Sequence, residues 1–433
     1  MREGLPRLLA IMGSGETAPT MSAVHRDLLA RLGGPEVPAV LLDTPFGFQG
    51  NADDLSARAV EYFAKSVRRR IEVASFRSAD EVGSLSYETM LNRLRQARYV
   101  FAGPGSPSYA LAQWEATQVP AVLADKLRDG GCVTFASAAA VTLGPFALPV
   151  YEIYKVGQAP HWLPGLDLLG ALGLPAVVVP HFDNAEGGTH DTRYCYMGER
   201  RLALLEAELP EELFVLGVDE HTACIFDLDA ETTAVAGRGA VTVRRRGRMR
   251  RILAGTTVAT SSLRDLAAGL AADTGEAGGE VHSERPTATA ADVTADATAA
   301  DATAGSPLLA DVARLQSGFD RALTAGDPEE AVAAALALDE LLLQWSRDTL
   351  ESDELDRGRA ALRSMLVRLG EAAEGGLRDP REVVGPFVDA LLDARSRARA
   401  DRRWADSDAI RDRLVQAGVQ VHDSPDGTAW DLR

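Results

Sequence analysis

The first 270 residues alternate short, wholly apolar runs with longer stretches in which apolar residues recur at every third or fourth position. A short apolar run indicates a buried strand, and the longer recurrence indicates a helix with one buried face. Helices are predicted between several of the strands, for example at Asp53–Ser66 and Tyr87–Gln96. This alternation predicts an α/β fold with a doubly wound, mostly parallel sheet covered by helices on both faces. The predicted strands are Leu8–Met12, Val37–Leu42, Ile71–Ser75, Tyr99–Ala102, Val133–Ala136 and Ala176–Val179.

After about Phe214 the apolar runs become closely spaced. Such spacing is typical of antiparallel hairpins, which we expect to extend the sheet and complete the domain. The first predicted domain therefore covers residues 1–270. The strands predicted in this extension are Phe214–Val218, Thr222–Phe226, Thr232–Ala236, Ala240–Val243 and Arg251–Ala254.

The pattern changes to helical periodicity in residues 307–433, which predicts a second, all-α domain. A short terminal segment around Pro425, Asp426 and Gly427 has the composition of a turn and predicts a small hairpin. The predicted helices are Leu308–Ala325, Pro328–Ser346, Asp353–Glu374, Pro386–Asp401 and Ala405–Ala417.

The segment between the two domains, residues 271–306, is rich in Ala, Thr and Gly. Residues 269–306 carry one basic and seven acidic side chains, and the segment has no aromatic residue. It cannot bury enough apolar surface to offset the entropy that ordering would cost. We therefore predict a flexible, acidic linker.

Composition narrows the classes of function. The chain has 433 residues, of which 46% are hydrophobic, and its formal net charge is −18. This charge disfavours any broad surface that coats nucleic acid, DNA included, or that binds a membrane. No apolar run reaches the length of about 18 residues that a membrane helix needs. The start of the chain lacks the pattern of a secretion signal, and three cysteines form no paired framework, so a cytoplasmic location is predicted.

Candidate chemistry begins at Ser137, where the predicted strand Val133–Ala136 meets a run of small helix-forming residues. A sharp strand-to-helix turn exposes a hydroxyl above the sheet edge and leaves backbone N–H groups free to bind an oxyanion. His181 directly follows another predicted strand, Ala176–Val179 and Pro180. A serine and a histidine at the carboxyl ends of separate strands predict a nucleophile and its general base.

The base needs an acid that orients it, and Glu152 is the predicted acid because it lies between Ser137 and His181 in a partly apolar run. A structural role for Glu152 remains the alternative. Gly103 and Gly105 follow a predicted strand, and their loop, together with the amide of Ala138, is the predicted oxyanion hole.

A metal site formed by His181, His190 and Cys195 is the competing interpretation of this region. Their spacing fits no standard metal site, so we predict neither a metal nor a cofactor. The polar, Gly-rich loop that starts at Asp183 lies beside the base and is the predicted substrate-recognition segment.

These motifs resemble, in order and spacing, the cyanophycinase/aspartyl dipeptidase family of serine peptidases, whose fold is like that of class I glutamine amidotransferases. The resemblance covers about residues 6–260. It implies that Ser137 is the nucleophile, His181 the base and Glu152 the acid. The motifs are Gly13-Ser14-Gly15-Glu16, Phe101-Ala102-Gly103-Pro104-Gly105, the Ser137 turn, Pro180-His181-Phe182 and Gly217-Val218-Asp219-Glu220-His221-Thr222-Ala223.

The resemblance also implies a substrate class and exposes two departures. The family favours peptides with acidic side chains, so Arg193 or Arg200 is expected to bind a substrate carboxylate. The family has glycines on both sides of the serine turn, whereas this chain has Phe135 and Ala139. Phe135 is expected to fill part of the substrate pocket, which would weaken or abolish activity.

The end of the chain closely resembles the C-terminal end of cysteinyl-tRNA synthetase, whose helical bundle binds the anticodon. The likeness is carried by residues 397–414, 417–419 and 423–430, and the helices from about 308 resemble the rest of the bundle. By this likeness the candidate RNA contacts are Arg402, Arg403, Trp404, Asp408 and Asp423. Residues 395–413 hold seven arginines and four aspartates, which suits phosphate contact. A core position for Trp404 and a solvated ion-pair face are the alternatives.

The chain contains neither nucleotide-binding signature of a synthetase, so complete aminoacylation is not expected. The predicted function is a serine hydrolase that acts on small acidic or isopeptide-like amides and is fused to a tRNA-binding module. The alternative is an inactive amidotransferase-like protein whose function is to bind tRNA or a protein partner. A homodimer is compatible with either.

Overall fold

The computed structural model describes residues 4–187, 190–272, 279–281, 306–346, 354–375, 380–424 and 427–432. The chain divides into two compact units, one of residues 1–306 with 343–352 and one of residues 307–342 with 353–433. No helix in the described part of the chain is both long enough and apolar enough to cross a bilayer.

The first unit contains fifteen described strands, most of them short. They are β1 (Arg7–Met12), β2 (Ala39–Leu42), β3 (Glu72–Ala74), β4 (Tyr99–Ala102), β5 (Gly131–Ala136), β6 (Phe146–Ala147), β7 (Leu163–Pro164), β8 (Ala176–Val179), β9 (Phe214–Val218), β10 (Thr222–Asp227), β11 (Thr232–Gly237), β12 (Ala240–Arg245), β13 (Arg248–Leu253), β14 (Thr257–Ala259) and β15 (Gly279–Val281).

The largest sheet has eight strands in the order β14-β11-β10-β1-β5-β4-β2-β3. Its β1, β5, β4, β2 and β3 are parallel, whereas β10, β11 and β14 add an antiparallel extension beside β1. Side chains of β1 alternate between two cores: Leu9 and Ile11 belong to one, and Leu8, Ala10 and Met12 to the other. A strand buried on both faces is apolar throughout, which is why the run is uninterrupted in the sequence.

The remaining long strands form a second sheet in the order β15-β13-β12-β9-β8. In it β8 and β9 are parallel, and β9, β12 and β13 are antiparallel. The predicted fold class, a mostly parallel α/β sheet with an antiparallel extension, is confirmed. The division into two sheets was not predicted. In the structure, β10 pairs with the side of β1 that β5 leaves free, and β8 pairs with β9 in the second sheet.

Helices cover the sheets of the first unit. The predicted helix Asp53–Ser66 is divided into an α-helix and the π-helical turn Phe63–Val67, which ends at Arg68 in the left-handed conformation. The α-helices are α1 (Ser22–Arg31), α2 (Ala52–Tyr62), α3 (Leu85–Gln96), α4 (Pro107–Trp114), α5 (Val119–Asp129), α6 (Ser137–Val141), α7 (Val150–Tyr154), α8 (Leu168–Ala171), α9 (Gly198–Glu208) and α10 (Ser261–Ala272).

The second unit is helical and ends in a two-stranded hairpin, as predicted. Predicted helix ends agree within a residue or two except at α14, which begins at Pro380 and contains Pro386 in its interior. Proline is favoured at the first position of a helix, where its missing N–H costs no hydrogen bond, so the prediction placed the start at Pro386, six residues late. The elements are α11 (Pro307–Ala325), α12 (Pro328–Trp345), α13 (Glu354–Gly375), α14 (Pro380–Ala400), α15 (Trp404–Gln416), β16 (Val419–Ser424) and β17 (Gly427–Leu432).

The predicted linker overlaps the described residues only in part. Residues 271–272 belong to α10, and β15 pairs in parallel with β13. Residues 273–278 and 282–305 lie outside the described residues, so the linker stays a prediction.

Candidate active site

Ser137 stands on a sharp turn at the edge of the eight-stranded sheet. It directly follows β5 and is the first residue of α6. Its φ of 48° lies in the left-handed region, which a residue with a Cβ adopts at a cost in free energy. The side chain is mostly buried, with an exposed fraction of 9%. This backbone conformation is that of a nucleophile elbow.

His181 approaches Ser137 from the other sheet. It follows β8 and, like Ser137, has a left-handed backbone, with a φ of 46°. Ser137 Oγ and His181 Nε2 lie 2.9 Å apart, within hydrogen-bond distance. The structure therefore brings together the two residues that the sequence singled out, although their strands belong to different sheets.

The carboxylate that contacts the imidazole is Glu220, in the turn between β9 and β10. Its Oε1 lies 2.7 Å from His181 Nδ1, and Asn184 Nδ2 donates a hydrogen bond of 3.1 Å to the same oxygen. The backbone N–H of Glu220 donates to Asp183 Oδ1 at 2.7 Å. These bonds hold the carboxylate on the side of the ring opposite Ser137.

Burial and charge act on the imidazole in opposite directions. Burial alone would lower the pKa of His181, but the hydrogen bond and the negative charge of Glu220 outweigh it and raise this pKa above 6.5. Glu16 and Glu186 contribute to the increase through their charges. Burial would raise the pKa of Glu220, yet its bond to His181 lowers this pKa below 4.5. Both directions are those expected of a histidine oriented by a carboxylate.

The prediction that Glu152 orients His181 is wrong in its geometry. Glu152 lies on α7, and its Oε1 accepts a hydrogen bond of 2.5 Å from Ser108 Oγ. It lines an open groove together with Phe48 and Tyr109. Proximity in sequence favoured Glu152, but the chain returns to the imidazole only at the β9–β10 turn.

A signal for Glu220 was present in the sequence. Glu220 lies two residues after the apolar run Phe214–Val218, at the end of a buried strand, in one of the motifs that carry the family resemblance. A carboxylate in that position meets the same criterion that selected Ser137 and His181.

The predicted oxyanion donors surround the serine turn. Gly105 and Ala138 line the cavity beside Ser137, whereas Gly103 is absent from that lining. The Gly103 carbonyl accepts the N–H of Ala139 at 3.2 Å. Ala138 is in the first turn of α6, where backbone N–H groups have no partner within the helix. The amide of Ala138 thus stays the predicted oxyanion donor, and Ala138 lines the cavity.

Gly105 is required by a close backbone approach. Its φ is 136°, and a Cβ at this position would lie 2.0 Å from the carbonyl oxygen of Pro45. The N–H of Ser106 donates to the same carbonyl at 2.8 Å. Only glycine fits where the loop after β4 crosses this segment.

A cavity of about 420 Å³ opens over Ser137 and His181. Besides Ser137 and His181, its polar side chains belong to Gln49, Tyr151, Tyr154, Lys155, Glu186, His190, Thr192 and Tyr196. This volume suits a small ligand, and Lys155 supplies a positive charge.

The predicted substrate-binding residues lie elsewhere. Asp183 supports the backbone of Glu220, as described above. Arg193 donates to both carboxylate oxygens of Asp191, at 2.9 and 2.8 Å, and Arg200 is exposed on α9. None of Asp183, Arg193 and Arg200 belongs to the cavity lining. Arg193 instead pairs with Asp191, two residues earlier in the same loop.

Phe135 leaves the cavity open. Its side chain is completely buried and stacks on Trp114 with a centroid distance of 5.8 Å. Because β5 alternates its side chains between two faces, Phe135 points into a core rather than towards Ser137. The expectation that it fills the pocket is therefore wrong.

The described residues offer no cluster of three potential metal ligands. Both ring nitrogens of His181 already have partners, Ser137 and Glu220. His190 Nε2 lies 3.2 Å from the hydroxyl of Tyr154. Both histidines of the alternative metal site are thus engaged in other bonds.

In the second unit, the candidate RNA contacts differ in availability. Trp404 begins α15 with an exposed fraction of 57%, so it is not a core residue. Arg403 pairs with Asp401 and Asp406, and Arg402 and Asp408 are exposed.

Asp423 is already engaged by arginines. Its two oxygens accept bonds of 2.8 and 2.7 Å from Arg395, and Arg399 lies 3.2 Å away. The Arg395 bonds lower the pKa of Asp423 well below its ordinary value. The structure thus bonds Asp423 to arginines of α14, and its contact with RNA stays a prediction.

Comparison with known proteins finds a family match at the C-terminal end of the chain. Residues 384–430 match the family model of the cysteinyl-tRNA ligase anticodon binding domain. A cysteine–tRNA ligase of Paenarthrobacter aurescens (strain TC1) is 34% identical over 139 residues, which are 30% of this chain and 28% of that protein. The corresponding enzyme of Streptomyces coelicolor is 37% identical over 117 residues, or 24% of this chain and 19% of that protein. The chain thus spans less than a third of the length of these relatives.

Two solved structures are similar to the chain in its N-terminal region. A peptidase from an acI-B1 Actinobacterium has 16% sequence identity and a TM-score of 0.49, covering 59% of this chain and 98% of its own. A protein assigned as a peptidase E from Listeria monocytogenes EGD-e has 13% identity and a TM-score of 0.37, covering 54% of this chain and 98% of its own.

Proposed function

We propose that the first unit is a serine hydrolase that cleaves small amides through an acyl-enzyme. The observation that carries this proposal is the chain of contacts Ser137 Oγ–His181 Nε2 at 2.9 Å and His181 Nδ1–Glu220 Oε1 at 2.7 Å. A hydroxyl, an imidazole and a carboxylate in this order constitute a nucleophile, its base and the group that orients the base.

The proposed reaction has two halves. Ser137 Oγ attacks the amide carbonyl carbon while its proton moves to His181 Nε2, and the N–H groups of Ala138 and the Gly105 loop stabilise the oxyanion. The C–N bond then breaks, His181 returns the proton to the leaving amine, and the acyl group remains on Oγ. Water attacks this ester with His181 again as the base, which releases the acid and restores Ser137.

The proposed substrates are small acidic or isopeptide-like amides. The cavity volume of about 420 Å³ favours a compact substrate. Lys155 in the cavity lining replaces Arg193 and Arg200 as the proposed partner of a substrate carboxylate. The acidic preference itself comes from the family resemblance.

A fluorophosphonate probe tests the activity without knowledge of the substrate. The wild-type chain is expected to be labelled on Ser137, and both Ser137→Ala and His181→Gln are expected to abolish labelling. Ser22→Ala is the matched control, because Ser22 Oγ bonds the Pro19 carbonyl and lies outside the cavity. A correctly folded wild-type chain that stays unlabelled would favour the alternative, an inactive binding protein.

The second unit is proposed to bind tRNA. The match of residues 384–430 to the anticodon binding domain and the exposed ring of Trp404 support this proposal. An exposed indole beside guanidinium groups suits base stacking and phosphate contact. The cytoplasmic location and the homodimer remain predictions.

A gel shift of the full chain with tRNA tests the second unit. Binding is expected to weaken as salt increases and to fall several-fold in Trp404→Ala. Phe387→Ala is the control, because it removes another exposed aromatic ring, 71% exposed, from the same unit. Absence of a shift at low salt would remove the RNA proposal.

A further inference from the structure

A run of unusual backbone conformations lies beside the candidate base. Tyr194, Cys195 and Tyr196 have φ values of 60°, 56° and 65°, so three successive residues with side chains are left-handed. We name these three residues the left-handed turn. Such residues normally occur singly, and each costs free energy. A conformation of this kind persists only where its surroundings impose it, and it commonly marks a functional site.

The left-handed turn is bonded directly to the segment of the base. The N–H of Cys195 donates to the carbonyl of His181 at 3.1 Å, and the N–H of Tyr194 donates to that of Phe182 at 3.0 Å. His181 is itself left-handed, with a φ of 46°. Two strained segments are therefore joined by two backbone hydrogen bonds, one of which is accepted by His181, the residue that contacts Ser137.

The ring of Tyr194 is buried and packs against Phe182 and Arg244. Tyr194 is 3% exposed, its ring centroid lies 4.5 Å from that of Phe182, and Arg244 Cζ lies 4.9 Å from it. Arg244 is completely buried and bonds Glu199 at 2.6 and 2.9 Å and Glu206 at 2.9 Å. A planar guanidinium held by two carboxylates is a rigid surface against which an aromatic ring packs.

The other end of the left-handed turn reaches the cavity. The ring of Tyr196 lies 6.1 Å from that of His181 and 5.0 Å from that of Tyr154, and its hydroxyl donates to Glu186 Oε2 at 3.0 Å. The turn therefore touches the base through its backbone and through a side chain.

We propose that the left-handed turn is a clamp that holds His181 against Ser137 and Glu220, with Tyr194 and Arg244 as its positioning residues. This inference rests on the proposed function, because positioning His181 matters for catalysis only in a hydrolase that uses it as the base. Neither Tyr194 nor Arg244 lines the cavity, so neither would contact a substrate there, and both are assigned a role through the turn. Loosening the clamp separates the imidazole from Glu220. The hydrogen bond and the charge of Glu220 then no longer raise the pKa of His181.

The test measures the pKa of His181 by NMR titration of the full chain, together with the rate of fluorophosphonate labelling. Tyr194→Leu is expected to lower the His181 pKa and to slow labelling about 10- to 100-fold, since small misplacements of a base have effects of this size. Tyr194→Phe keeps the ring and is expected to restore both quantities to near the wild-type values. Arg244→Lys, which keeps the charge but loses the planar surface, is expected to shift both in the same direction as Tyr194→Leu and serves if that variant does not fold.

Tyr87→Leu is the matched control, because Tyr87 is equally buried and packs on Phe76, away from the site. It is expected to reduce stability and leave the His181 pKa in place. An unchanged His181 pKa in both Tyr194→Leu and Arg244→Lys, or an equal shift in Tyr87→Leu, would overturn the clamp. If wild-type labelling fails but the pKa responds as described, the hydrolase proposal falls and the clamp stands.

Discussion

Single residues determine whether the site can carry out acyl transfer. Ser137 and His181 both occupy left-handed conformations that bring hydroxyl and imidazole within 2.9 Å. The orientation of the imidazole depends on which carboxylate reaches Nδ1. Glu220 does so, and Glu152 bonds Ser108 instead.

The two carboxylates should therefore respond differently to the same change. Glu220→Gln is expected to slow labelling of Ser137 by at least about 100-fold, because the amide no longer stabilises the imidazolium that forms during attack. Glu152→Gln removes an equal charge from a residue without contact to His181 and is expected to have a far smaller effect. The measurement is the labelling rate of each variant at saturating probe; equal effects would contradict the assignment of Glu220.

The pH dependence of labelling reports on the same pair. Neutral imidazole is the proposed base, so the rate should rise with pH and reach half its maximum at the His181 pKa, which lies above 6.5 in the wild type. In Glu220→Gln the midpoint should move down, because burial then acts on the ring without the opposing carboxylate. In Glu152→Gln the midpoint should stay in place. A midpoint in the wild type below that of Glu220→Gln would refute this explanation.

At the scale of elements, strand ends and the turns that follow them build the site. Ser137 follows β5, His181 follows β8, and Glu220 lies between β9 and β10. The loop after β4 joins them because Gly105 lets its backbone cross the Pro45 carbonyl. The site thus depends on four turns, and three of them contain a left-handed residue with a side chain, namely Ser137, His181 and His221.

Gly105→Ala should show how closely these turns are packed. A methyl group 2.0 Å from the Pro45 carbonyl, on a backbone with a φ of 136°, must displace the loop. We expect a loss of more than about 2 kcal/mol in the free energy of unfolding and a strong decrease in labelling. Gly50→Ala is the control, because a Cβ there meets nothing within 4 Å. Urea unfolding measures the free energy of unfolding of both variants. Equal values would disprove the close approach of Gly105 to the Pro45 carbonyl.

At the scale of the whole molecule, the chain combines an α/β unit with a helical one. The segment between them carries one basic and seven acidic side chains in residues 269–306. The prediction that it is a flexible linker rests on this composition, since most of it lies outside the described residues.

Limited proteolysis tests the predicted linker. A glutamate-specific protease should cleave first at Glu276 or Glu284, because a chain without a buried core is the most accessible substrate. Two fragments that resist further cleavage are expected, one ending near residue 280 and one beginning there. Mass spectrometry identifies the first cut; initial cleavage within α9 or α13 would contradict the predicted domain boundaries.

The amino-acid sequence by itself determined most elements and two of the three residues of the site. Runs such as Leu8–Met12 and Ala176–Val179 are buried on both faces, so their composition alone marks them as strands, and Ser137 and His181 follow directly from the ends of such runs. The tertiary structure decided that Glu220 rather than Glu152 contacts the imidazole and that two sheets rather than one supply the site. Both outcomes depend on pairings between distant strands, such as β1 with β10 and β8 with β9, which local composition does not encode.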